Sequence, residues 1–205
     1  MFSPALIRKI AVYIFFIFLI SCFQVSFPDI MTYRGQVADL MLIFTVVVSY
    51  FFGFLDGAVV GIAVGILRDY FAAPAITGFD GKPVGAVGLG LLLMFLAAVF
   101  GSSFFTKRMR RNAPFAFVAV IAATAIYKIG GHLLIRIWTA AVLHNSYNMT
   151  IGQIILDSIL PQLMLNLVAA APIILLLRFA GPYSKGVNPN IDVERGVEDN
   201  LWLKI

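Results

Sequence analysis

The chain has 205 residues, of which 61% are apolar and 12% charged, with a net charge of +5 and a mean hydropathy of +0.96. A soluble domain averages about half apolar and a quarter charged residues, so this chain cannot cover its own surface with polar groups. An ordinary soluble protein, a disordered chain and a secreted disulfide scaffold are thereby excluded, and a polytopic membrane protein remains.

Runs such as Ile10–Ile20 and Leu91–Phe100 are apolar on every face. They lack the alternation of a transmembrane barrel, so helices are the solution left for the backbone in lipid. Six spans are predicted in chain order, at about 7–27, 37–54, 56–71, 84–105, 113–138 and 151–179. They form one transmembrane domain over residues 1–180, followed by a charged tail, 181–205. The run Val37–Phe71 is long for one perpendicular crossing and short for two, so length leaves it open. Charge decides. A break near Gly53–Gly57 puts Arg8, Lys9 and the tail on the same side as Lys107, Arg108, Arg110 and Arg111, as the positive-inside rule asks. The sequence therefore predicts an all-α integral membrane protein with six helices and both termini cytoplasmic.

Two short motifs have plainer explanations. Leu19-Ile20-Ser21-Cys22 resembles a lipoprotein cleavage box, but the apolar run continues through Phe23, Val25 and Phe27. Asn148-Met149-Thr150 fits a glycosylation acceptor, with nothing else pointing to a eukaryotic secretory route.

Gly53, Gly57, Gly61 and Gly65 recur every four residues, and Asp69 continues the spacing. On a helix, Gly57, Gly61, Gly65 and Asp69 form one stripe that lets another backbone approach closely. Two uses are open: packing within the bundle, or contact with a second protein. Gly85, Gly88 and Gly90 mark another tight approach and do not form a dinucleotide-binding pattern. Charges inside spans require partners. Lys128, His132 and Arg136 share one face of the fifth span, while the sixth carries Gln153 and Asp157, with Gln162 and Asn166 further in. An intramembrane cluster of Asp69, Lys128, His132 and Asp157 is expected, with Lys128 neutralised by Asp157. It would either fix helix register or bind a small molecule or proton. Pro161 and Pro172 are expected to bend the sixth span.

No HExxH, Walker loop, GxSxG or metal-spaced Cys/His set occurs, and the ten carboxylates are dispersed with four in the tail. The chain is expected to be no enzyme and to need no cofactor or metal.

The stretch Ala38-Asp39-Leu40-Met41-Leu42-Ile43, then Asp56-Gly57-Ala58 and Gly61 through Asp69, resembles the rod shape-determining MreD family. The likeness continues through Gly85–Phe100 and covers about the first four spans. Ala38 stands where the family usually has proline, and the connector Ala72–Pro83 is longer than typical. The resemblance implies a six-helix bundle like the substrate-binding subunits of ECF vitamin transporters. It further implies a non-enzymatic scaffold in the bacterial inner membrane, partnered with MreC and working near MreB, RodA and PBP2. The alternative reading is a small-molecule-binding subunit of an ECF-type transporter.

Overall fold

The computed structural model describes residues 3–26, 30, 32–72, 75–77, 83–85, 87–103, 112–142 and 150–183. The basic run Lys107–Arg111, the acceptor Asn148 and the tail beyond Tyr183 lie outside them. The described chain is mostly helical: α1 covers Pro4–Ser26, α2 Leu40–Phe52, α3 Phe54–Ala72, α4 Leu89–Ser103 and α5 Ala113–Val142. The last helix, α6, runs Ile151–Ala180 and includes a π-helical turn at Ile154–Ile159. Three helices are long and apolar enough to cross a membrane, namely α1, α5 over Ala113–Ala141, and α6.

Helices α2 and α4 are shorter than the predicted spans, because short hairpins take residues at their N-terminal ends. Strands β1 (Thr32–Tyr33) and β2 (Gln36–Val37) pair antiparallel, as do β3 (Ala75–Thr77) and β4 (Pro83–Gly85). The first hairpin turns at Arg34-Gly35 with φ of 50° and 74°. Positive φ at both central residues is the tight turn whose twist matches the strands it joins.

All thirteen residues of α2 are buried. A helix apolar on every face belongs in the centre of a bundle, and the other helices surround it. Between α2 and α3 stands a single residue, Gly53, with φ of 97°, a conformation that side-chain-bearing residues resist. The chain reverses there, so Val37–Phe71 folds back on itself. Ser49 then meets Gly57, Thr45 meets Gly61, and Asp39 meets Arg68, the pattern of two antiparallel helices.

The glycine stripe is filled from within the chain. A Cβ on Gly61 would lie 2.9 Å from the Met94 carbonyl oxygen, and one on Gly65 would lie 2.6 Å from the Leu91 Cα. Gly57 abuts the Ser49 side chain, whose hydroxyl donates to the Ala98 carbonyl. Helix α3 thus lies backbone to backbone against α4 and close on α2. Its opposite face, with Leu55, Val59, Ile66 and Tyr70, is exposed. Ile14, Phe15 and Phe18 of α1, Leu133 and Ile137 of α5, and Val168 and Phe179 of α6 are exposed as well. An exterior this apolar is one that lipid solvates and water does not.

The beginning of α1 and the end of α6 meet at one end of the bundle, where the Arg8 guanidinium donates to the Gly181 carbonyl at 3.5 Å. Gly61→Leu or Gly65→Leu is expected to lower stability by about 3 kcal/mol, the upper end for overpacking, because the nearest atom in the way is backbone. Val59→Leu, at a side chain 64% exposed, should change it by less than about 0.5 kcal/mol. Unfolding in detergent checks both.

Candidate functional site

Asp39 immediately precedes α2 and its carboxylate accepts from the Leu42 amide at 3.0 Å, capping the helix. Its second oxygen accepts from the Arg68 guanidinium at 2.6 Å, and its backbone N–H donates to the Asn166 side-chain oxygen at 2.7 Å. Asn166 in turn donates to the Thr124 hydroxyl at 2.9 Å, and the Arg68 guanidinium lies 5.0 Å from the centre of the Tyr127 ring. Gln24 of α1 completes the end of α2, accepting from the Leu40 N–H at 2.7 Å and donating to the Ala38 carbonyl at 2.9 Å. One polar knot therefore joins α1, α2, α3, α5 and α6. A buried helix start leaves unpaired N–H groups that water cannot reach, and this knot supplies their partners.

Asp69 closes a second helix start. Its carboxylate accepts from the backbone N–H of Gly88 at 2.9 Å, Gly90 at 2.7 Å and Leu91 at 3.0 Å. A carboxylate at the positive end of α4 is favourable in both charge and hydrogen bonding. Gly90 is required by this arrangement, because a Cβ there would lie 2.5 Å from the Asp69 Oδ1.

Beside these two acids, α3, α4 and α5 enclose a cleft of about 180 Å³. Arg68, Tyr127, Lys128 and His132 form its polar wall, and Leu89, Leu93 and Ile135 its apolar one. The Lys128 ammonium donates to the Gln36 side-chain oxygen at 2.9 Å, placed by the first hairpin. His132 Nε2 lies 3.2 Å from the Ser158 hydroxyl.

Of the expected cluster, Asp69, Lys128 and His132 come to the same end of the bundle. Asp157 does not join them. The inward stripe of α6 runs through Ser158, Gln162, Asn166 and Ala170, all buried, and Asp157 next to it is exposed. The expected Lys128–Asp157 pair is corrected accordingly: Lys128 meets Gln36, and Ser158 takes the position facing His132. The π turn holding both residues ends at Leu160, whose N–H reaches back to the Ile155 carbonyl. Pro161, which has no N–H to donate, follows at once. Arg136, on the face shared with Lys128 and His132, is exposed.

The opposite end is organised by Asp56 in the first turn of α3. It is 4% exposed and pairs with Lys9. It accepts from the Tyr13 hydroxyl at 2.8 Å and also from the Tyr183 hydroxyl. Burial, with Asp56 alongside, pushes the Tyr183 phenol above its ordinary range. Sequence reasoning missed Asp39, Arg68 and Asp56 as buried charges, although all three lie in the stretches that carry the resemblance. Cys22 is a free, exposed cysteine.

Comparison with family models, characterised proteins and solved structures gave no match to this chain. The geometry separates two ion-pair hypotheses in one experiment. Asp39→Asn combined with Arg68→Met is expected to show a coupling energy of about 1–3 kcal/mol, as contacting charges do. Lys128→Ala combined with Asp157→Ala should add to within about 0.5 kcal/mol. Double-mutant cycles on unfolding in detergent measure both.

Proposed function

We propose that this chain is a non-enzymatic scaffold of the bacterial cell-elongation machinery, of the rod shape-determining MreD type. In this reading it binds MreC and works with MreB, RodA and PBP2 to support rod shape and lateral peptidoglycan synthesis. Its six helices cross the cytoplasmic (inner) membrane with both termini in the cytoplasm, as a bundle like the ECF substrate-binding subunits.

One observation supports the reading above the rest. The residues that carry the MreD resemblance, Asp39, Asp56, Gly57, Gly61, Gly65 and Asp69, are those at which α1, α2, α3 and α4 clamp together. The motif thus specifies a rigid bundle whose inner groups are used on one another. The outer faces of its helices remain for lipid and for a partner helix, which suits a protein that holds others in place. Helix α2 has 13 residues and is about 20 Å long, short of a hydrocarbon core of about 30 Å. Its N-terminal backbone groups are nevertheless satisfied by Asp39, Gln24 and Asn166, so that end can lie below the membrane surface without water.

The cleft between α4 and α5 is what favours the transporter-subunit alternative. Its volume of about 180 Å³ is below the roughly 300–1,000 Å³ of small-molecule sites, so the scaffold reading stands ahead. Affinity purification from native membranes in mild detergent, with the captured proteins identified, tests the choice. Co-purification of MreC, a coiled-coil protein with a single membrane span, is expected. Recovery of a pair of ATPases in its place would overturn the scaffold reading.

A further inference from the structure

We infer that the cleft between α4 and α5 is a binding site for a single phosphoryl or carboxylate group, of the kind carried by an anionic lipid. The inference stands apart from the scaffold reading and rests on how charge is settled around Lys128.

Two other charges beside the cleft have counterparts. The Arg68 guanidinium meets Asp39 at 2.6 Å, and Asp69 is held by three backbone N–H groups at the start of α4. Lys128 meets only the neutral Gln36 amide oxygen, and among the described residues no carboxylate lies within 4.0 Å of its ammonium. An ammonium on an apolar helix, with an amide as its sole charged-group substitute, retains most of its need for an anion. The cleft supplies the place for one. Lys128, Arg68 and His132 all face it, and Asp39, Asp69 and Asp157 are not among its lining residues.

The remainder of the wall selects the kind of anion. Leu89, Leu93 and Ile135 line the other side, and Gly131 widens the gap, since a Cβ on it would find its nearest neighbour, Leu93 Cδ1, 3.9 Å away. Leu92 and Leu96 of α4 and Ile129 and Leu133 of α5, on the two helices that form the cleft, are apolar and exposed. A headgroup anion can sit on Lys128 while its acyl chain lies along these side chains. A vitamin-sized ligand exceeds the space, and a free phosphate uses only the polar half of it.

The test uses the full-length protein, delipidated in neutral detergent. Binding of phosphatidylglycerol, phosphatidylcholine and inorganic phosphate is read by native mass spectrometry and by thermal stabilisation. Phosphatidylglycerol should bind about fivefold more tightly than phosphatidylcholine, the effect of one basic side chain on an anionic lipid. Lys128→Gln should remove that preference, and Arg178→Gln, at the far end of α6, should keep it. Gly131→Leu retains every charge but fills the cleft and should also remove it, which decides the matter if Lys128→Gln does not fold. Displacement of the lipid by millimolar phosphate would assign the site to a free phosphoryl group, and failure to displace would assign it to the lipid; either supports the site. The proposal is overturned if the wild-type protein binds neither anion in preference to phosphatidylcholine. It is equally overturned if folded Lys128→Gln or Gly131→Leu protein keeps the full preference.

Discussion

The bundle depends on how near α3 comes to its neighbours. In lipid, apolar side chains gain little by leaving one apolar surface for another, so helices adhere through dispersion and hydrogen bonding at short range. Gly57, Gly61 and Gly65 remove the side chains that would hold α3 away. In their place come the Ser49 side chain, the Met94 carbonyl and the Leu91 backbone. Gly101 does the same for α4, where a Cβ would sit 3.0 Å from the Val46 carbonyl oxygen. Helices α2, α3 and α4 therefore behave as one unit, and α1, α5 and α6 are laid around it.

Close packing brings the helix ends indoors, and the polar residues follow from that. The buried start of α2 and the half-buried start of α4 need acceptors, which Asp39 and Asp69 provide. Asp39 in turn needs a cation, and Arg68 provides one from the last turns of α3. Asp56 performs the corresponding service where α3 begins, drawing Lys9, Tyr13 and Tyr183 onto one carboxylate. Charges within an apolar bundle are costly singly and tolerable in such sets. Lys128, beside the cleft, has no carboxylate in its set among the described residues.

Much of this was legible in the sequence, and the parts that were not share a cause. Apolar runs and the four-residue glycine spacing are local signals from which the helices and the stripe follow, and the distribution of basic residues places the reversal near Gly53. The Asp39–Arg68 pair joins residues 29 apart in sequence, which no helical period relates. It becomes visible only once the chain is folded at Gly53, from which the two residues are nearly equidistant. The four-residue spacing of Gln153 and Asp157 does not mark the inward stripe. The stripe is set one residue later by Ser158, Gln162 and Asn166. The hairpin that carries Gln36 has two residues per strand, too few for any alternating pattern to show.

A rigid core of three helices, closed by its own glycines and charges, gives an account of what the chain can do for others: it offers fixed outer faces and keeps its inner ones to itself. The central claim is that the glycine stripe is occupied by this chain's own α4. Gly61→Cys with Ala98→Cys, in a Cys22→Ser background, tests it directly in native membranes. A Cβ on Gly61 lies 3.3 Å from that of Ala98, close to the roughly 3.5–4.5 Å of a disulfide. Mild oxidation is expected to give a disulfide within a single chain. A cross-link joining two chains would contradict the account.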